Sequence, residues 1–88
     1  MHRKKQFERM KNNPDDVEYD DLAALLVWLG FNIKDSTHPL FLHHLYPIAL
    51  RVAKPHGKRG SKVMKSVYVR DAIDLIEKHP ELWERGKE

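Results

Sequence analysis

Residues 20–35 read DDLAALLVWLGFNIKD, and the spacing of the apolar residues changes within this stretch. Before Gly30 the leucines recur at the i, i+3, i+4 and i+7 spacing of an amphipathic helix: Leu22, Leu25, Leu26 and Leu29. Asp20 is the expected N-cap, and Gly30 suits a left-handed C-terminal cap. After Gly30 apolar and polar residues alternate, with Phe31 and Ile33 on one side, which predicts a strand over residues 31–35. The chain is therefore expected to pass from helix to sheet at Gly30.

Two further short apolar runs follow, and they predict strands over residues 40–44 and 48–53. In the last of these runs Ile48, Leu50 and Val52 share one face, which we expect to point inward, while Arg51 points outward. In the middle run Phe41 is expected in the core, so Leu40 and Leu42 project from the opposite face. That arrangement predicts cover from an N-terminal helix or from a protein partner.

Helices are expected at both ends of the chain. A short helix over residues 6–12, with Phe7 and Met10 on one side, is predicted to end before Pro14. Ser66 is the expected cap of a final helix, which should stop near His79 and Pro80. The apolar stripe of this final helix consists of Val69, Ala72, Ile73 and Ile76.

These elements predict an α+β fold of two layers, in the order helix-strand-strand-strand-helix with an extra N-terminal helix. The 88 residues are interpreted as one domain with an N-terminal helical extension at 1–14, a core at 15–80 and a tail at 81–88 held by Leu82 and Trp83. Two helices would cover one face of an antiparallel sheet, and the other face would stay open. An open sheet beside a cationic loop is a natural platform for RNA.

Charge is segregated along the chain. Residues 15–21 carry five acids and no base, which we interpret mainly as charge complementing a helix N-terminus, and residues 51–70 carry seven bases and no acid. The basic block is expected to attract phosphates, the alternative being a merely solvated loop. With no cysteine and no apolar stretch near the length of a membrane span, the chain is expected to be soluble and cytoplasmic.

Six histidines suggest a metal site around His38, His43 and His44. Strand alternation argues against it, because neighbouring His43 and His44 would point to opposite faces. Residues 58–62 lack the spacing of a phosphate-binding loop. We therefore predict no metal and no cofactor.

The segment Ser36-Thr37-His38-Pro39-Leu40-Phe41-Leu42-His43 resembles the Gly-Ser-His-His-x-Phe-x-His strand of HicA family toxins, the small mRNA interferases of type II toxin-antitoxin systems. Thr37, His38, Phe41 and His43 are in register with that motif, whereas Ser36 and Pro39 replace its glycine and its second histidine. The layout is also similar over roughly residues 17–78, including the Leu29-Gly30-Phe31 junction.

The resemblance implies a fold like a double-stranded RNA-binding domain, metal-independent cleavage of mRNA by one histidine, and a HicB-type antitoxin as protein partner. It implies that His38 is the acid/base residue and that Thr37 supports the site. Imidazole is suited to this role because its ordinary pKa, about 6.5, lets it exchange protons at neutral pH. The residues expected to contact RNA are Thr37, Arg51, Lys54, His56, Lys58, Arg59, Lys62 and Lys65.

Four alternatives stay open. His38 could be an ordinary exposed turn histidine. The protein could be a non-catalytic RNA-binding module of the same fold, or an interaction protein whose basic loop meets an acidic protein. His56 could act as a second proton-transfer group, although a loop flanked by Pro55 and Gly57 favours simple phosphate contact.

Overall fold

Helices precede and follow a central block of strands along the described chain. A computed structural model describes residues 3–34, 38–53 and 63–85 of the protein. Within these ranges the elements are α1 (Arg3–Asn12), α2 (Tyr19–Trp28), β1 (Phe31–Lys34), β2 (Leu40–His43), β3 (Ala49–Arg51), α3 (Ser66–Lys78) and α4 (Glu81–Arg85). The predicted α+β architecture is confirmed.

The three strands form an antiparallel sheet in the order β1-β2-β3. Phe31 lies opposite His43, and Phe41 lies opposite both Ile33 on β1 and Leu50 on β3. Directly opposed residues share a face of the sheet. The register therefore places these five side chains on the same face.

The two faces of the sheet differ in burial. Phe31, Phe41, His43 and Leu50 are buried on the inward face. The outward face carries four exposed side chains around two half-buried leucines: Asn32, Lys34, Ala49 and Arg51 around Leu40 and Leu42. The expectation that Phe41 packs inward while Leu40 and Leu42 project outward is confirmed.

The apolar stripes of α2 and α3 form most of the helical side of the core. All four leucines of the first stripe and all four apolar residues of the second are buried. Full burial of an aliphatic side chain contributes about 1.5–3 kcal/mol, so these two stripes account for much of the stabilisation. The helical periodicity was sufficient to predict both.

The predicted N-caps of α2 and α3 are wrong. Glu18, not Asp20, precedes the first turn of α2, and Lys65, not Ser66, precedes α3; neither makes a side-chain capping bond. The reason is a tertiary link, because Glu18 forms an isolated antiparallel bridge with Val63, and the Met64 backbone N–H donates to the Val17 carbonyl. This pairing fixes where the chain turns into α2, and the N-cap lies two residues before the expected one.

The strands β2 and β3 are shorter than the alternation of residues predicted. The described ladder ends at Lys34, His43 and Arg51, and Asp35 lies outside the described residues. Ile48 and Val52 flank β3 and are buried, as expected. Ile33 is an exception on the inward face: it is exposed, in a shallow groove with Ala23, Ala24, Val27, Trp28 and Arg3.

The helix α1 begins at Arg3, three residues earlier than predicted, and packs against α3 and α2. Its buried Phe7 and Met10 join the same hydrophobic core as Leu82 of α4. Trp83 contacts Phe7 edge-on, with ring centroids 5.4 Å apart, and Lys4 lies over the Trp83 ring. Because α1 belongs to the helical layer, it does not supply the expected cover for the outward face of the sheet.

No helix in the described ranges has both the length and the apolar character needed to cross a membrane.

Candidate functional site

His38 lies directly before β2, and its side chain is exposed to solvent. The next residue, Pro39, is fully buried. An exposed imidazole is therefore attached to a backbone that is anchored in the core one residue later. This is the placement that an acid/base residue acting on an external substrate requires.

Arg51 connects β3 to the backbone of His38. Its exposed guanidinium donates from Nη1 to the His38 carbonyl oxygen at 2.9 Å. The Val52 backbone N–H donates to the Pro39 carbonyl at 3.2 Å. These two bonds bind the start of β2 to the end of β3.

The expected RNA-contacting residues are only partly described. Thr37, Lys54, His56, Lys58, Arg59 and Lys62 lie outside the described residues. Because Arg51 and Val52 pair with the backbone at His38 and Pro39, the chain enters the basic segment 54–62 from a point beside His38. Lys65 is exposed at the start of α3, where the adjacent Val63 and Met64 pair with the segment preceding α2.

The second histidine of the motif, His43, has a different environment. Its side chain is only 8% exposed and is the buried polar side chain of the core among the residues the structure describes. Ring Nε2 lies 2.9 Å from the Leu29 carbonyl oxygen, and Nδ1 accepts from the backbone N–H groups of Leu45 at 3.0 Å and Tyr46 at 3.3 Å. These partners require hydrogen on Nε2 and none on Nδ1, so the folded structure holds the ring neutral. His43 thus connects the end of α2 to the β2–β3 turn.

Aromatic rings surround His43. Phe31 meets it edge-on, with ring centroids 5.0 Å apart, and Tyr46 lies 4.9 Å away. The ring of His44 stacks on it at 5.2 Å. The prediction that His43 and His44 point to opposite faces is wrong, because β2 ends at His43 and strand alternation no longer governs the next side chain.

Gly30 allows His43 to approach the end of α2. Its φ of +109° is one that side-chain-bearing residues rarely adopt, and a Cβ atom there would lie 2.6 Å from His43 Nε2. The Gly30 carbonyl also accepts from the His44 backbone N–H. The predicted role of Gly30 in ending the helix is confirmed, and its contact with His43 is an additional constraint.

In residues 3–34, 38–53 and 63–85, no three potential metal-ligating side chains lie close enough to hold an ion. Hydrogen bonds and charged neighbours shift the pKa values of Lys11 and Glu81 in the helical layer. A side-chain hydrogen bond and charge attraction from Glu77 raise the pKa of Lys11, linking α1 to α3. A backbone hydrogen bond, followed by one from His79, lowers the pKa of the Glu81 carboxyl at the start of α4.

Two structural roles were not predicted from the sequence: that of Arg51 in binding the His38 backbone and that of His43 in the core. The bond from Arg51 to His38 joins residues 13 positions apart through a side chain whose direction along the strand the pattern does not specify. The burial of His43 had a visible signal, because it stands two residues after the inward-facing Phe41 and so shares its face.

Comparison of the chain with protein-family models, with curated proteins and with solved structures finds no match. A functional interpretation therefore depends on this chain's own residues. The feature on which it depends most is the exposed His38, bonded through its backbone to the strand that leads into the basic segment.

Proposed function

We propose that this protein is a metal-independent endoribonuclease resembling HicA toxins, with a fold like a double-stranded RNA-binding domain and with His38 as its acid/base residue. The observation that carries the proposal is the exposure of His38 next to the end of β3. A segment that contains Lys54, Lys58, Arg59 and Lys62 begins two residues after Val52. Such a segment would draw a sugar-phosphate chain toward the imidazole.

The proposed reaction needs no cofactor. The ribose 2′-hydroxyl attacks the adjacent phosphorus, the bond from phosphorus to the 5′-oxygen breaks, and the products are a 2′,3′-cyclic phosphate and a 5′-hydroxyl. One imidazole assists by accepting the 2′-hydroxyl proton or by donating a proton to the leaving oxygen, which contributes a factor of about 10² to 10⁴ in rate. Nearby lysines and arginines would offset the charge that develops on the phosphate.

In this proposal Thr37 supports the site, and RNA is held by Arg51, Lys54, His56, Lys58, Arg59, Lys62 and Lys65. A HicB-type antitoxin would be the protein that neutralises the activity, in the cytoplasm. The outward sheet face next to His38, with Leu40 and Leu42 half-buried at its centre, is the surface that such a protein would cover.

The test is cleavage of an end-labelled RNA by purified protein in the presence of EDTA. Wild type should cleave, and His38→Ala should lose about 10²- to 10⁴-fold in rate while its circular dichroism stays native. His44→Ala, which removes another exposed imidazole near the same sheet, is the matched control and should keep most of the activity. Unchanged cleavage by His38→Ala would remove the catalytic assignment.

A non-catalytic RNA-binding module of the same fold is the second candidate. Pro39 favours it, because this buried proline occupies the position where the HicA motif has its second histidine. Such a protein would bind RNA in a salt-dependent way and leave it intact with or without EDTA. If the basic segment instead meets an acidic protein, no salt-dependent RNA affinity should be found.

A further inference from the structure

The bond from Arg51 to the His38 carbonyl lies just outside the paired residues of the sheet. β2 begins at Leu40, so His38 precedes the paired residues. Pro39 has no backbone N–H and cannot donate to a neighbouring strand. The fixed points on this backbone are the Pro39 carbonyl, which accepts from Val52, and the His38 carbonyl, which accepts from the Arg51 side chain.

Without the Arg51 bond, the peptide between His38 and Pro39 would be held only through Pro39, whose carbonyl accepts from Val52. The bond to the Pro39 carbonyl fixes the peptide after Pro39, and the guanidinium fixes the peptide between His38 and Pro39. The bond from the guanidinium holds the carbonyl end of His38 and so restricts movement of the Cα atom that carries the imidazole. General acid/base catalysis depends on such restriction, because a misplacement of about 1 Å costs up to about 10²-fold in rate.

We propose that Arg51 is a positioning residue that holds the backbone of His38 in place, so that its imidazole is presented in one orientation at the β2 entrance. The proposal rests on the proposed function for its catalytic consequence, but the ordering of residue 38 is a property of the free protein. This role differs from a simple RNA contact, because the Arg51 guanidinium would affect catalysis by holding His38 and not only by binding the substrate.

The geometry allows Arg51 to hold the backbone and still face a ligand. Guanidinium carries five N–H donors, and the bond to the His38 carbonyl uses one. The side chain is exposed, so its other donors and its charge remain on the solvent side. A lysine at this position could reach the carbonyl with one ammonium donor but would lack the planar fork.

Lys34 provides a matched control on the same sheet face. The register places Lys34, Leu40 and Arg51 in one row across the three strands, so the two cations flank the same leucine from opposite sides. Lys34→Ala removes the same unit of charge from the same face and leaves the Arg51 bond to His38 in place. A loss seen with Arg51 variants and absent in Lys34→Ala is therefore not a general effect of surface charge.

The first measurement is kinetic, with RNA as substrate. Arg51→Ala and Arg51→Gln should lower kcat by about 10- to 100-fold with a smaller change in KM, and Arg51→Lys should recover part of kcat. Lys34→Ala should leave kcat within about twofold of wild type. A rise in KM with kcat unchanged would mean that Arg51 only contacts substrate, and would overturn the proposal.

The second measurement needs no RNA and separates this proposal from the proposed function. Relaxation of the ¹³Cα–¹Hα bond of His38 in the free protein should give an order parameter of about 0.85 in wild type and Lys34→Ala, falling toward about 0.6 in Arg51→Ala and Arg51→Gln. Unchanged order at His38 in both Arg51 variants would overturn the positioning role whatever the kinetics. If order falls as expected but wild type cleaves no RNA, the endonuclease function is wrong while the Arg51 restraint on His38 stands.

Discussion

Replacing His43 with alanine should destabilise the protein far more than replacing His38, although both belong to one histidine motif. His43→Ala removes the donor that satisfies the Leu29 carbonyl and the acceptor that satisfies the backbone N–H groups of Leu45 and Tyr46. The buried Leu29 carbonyl left without this partner costs about 1–3 kcal/mol, and the lost ring leaves a cavity whose cost adds to this. The part-buried N–H groups of Leu45 and Tyr46 add less, because water can reach them. Because these effects are not additive, we expect a total of about 3–5 kcal/mol.

The assay is equilibrium unfolding in urea, followed by circular dichroism at a pH where histidine is neutral. A loss of about 3–5 kcal/mol is a large fraction of the 5–15 kcal/mol typical of a small domain, and corresponds to a fall in Tm of roughly 12–40 °C. His38→Ala should stay within about 0.5 kcal/mol of wild type, because the residue is exposed and its backbone supplies its one described bond.

Two conservative variants separate the two hydrogen-bonding roles of His43, as acceptor and as donor. His43→Asn places an amide oxygen near the position of Nδ1 and can accept from the β2–β3 turn, but it is too short to reach Leu29. His43→Gln can donate toward the Leu29 carbonyl but lacks the acceptor for the turn. Each should lie between wild type and His43→Ala. If His43→Ala were as stable as His38→Ala, the buried imidazole would not connect α2 to the turn, and this interpretation of the core would be refuted.

Two further perturbations have expected outcomes. Gly30→Ala should cost about 1–3 kcal/mol in backbone strain at a φ of +109°, with an added loss as the new Cβ displaces His43; a urea midpoint equal to wild type would contradict this. Glu77→Gln should lower the pKa of Lys11 toward its ordinary value of 10.5, as measured by NMR titration of the lysine side chain. Asp74→Asn should not, because this carboxylate of α3 pairs with Lys78. Since Glu77 raises this pKa in the folded protein, the stabilisation from the pair is present below the ordinary lysine pKa and is lost as the pH rises through the raised value.

The periodic parts of the fold were predictable from the sequence because they depend on local spacing. The leucines of α2 point to one side at helical spacing, and Phe41 alternates with Leu40 and Leu42 on a strand, whatever the rest of the chain does. The ends of the elements were not predictable to the residue. The start of α2 depends on the bridge between Glu18 and Val63, which are far apart in sequence and whose pairing leaves no periodic signal.

The candidate site was predictable in part, because the direction of side chains on a strand also depends on local spacing. The exposure of His38 follows from its place before Pro39 at the start of a strand, and the outward direction of Arg51 follows from alternation with Leu50 and Val52. The bond between them depends on which way a long side chain leans along the strand, and several rotamers of arginine are compatible with the pattern. The stacking of His44 on His43 depends on where β2 ends, which alternation alone does not give.

Alternation also explains how one short motif supplies two histidines with different surroundings. Positions 41 and 43 share the inward face of β2, so the imidazole at 43 is enclosed among the rings of Phe31 and Tyr46. His38 precedes the strand and remains in solvent. A shift of register by one residue would exchange the faces of the whole strand and would bring Leu40 and Leu42 into the core in place of Phe41 and His43. The bonds from His43 to the end of α2 and to the β2–β3 turn oppose that shift. The buried histidine therefore favours the register on which the position of the exposed one depends.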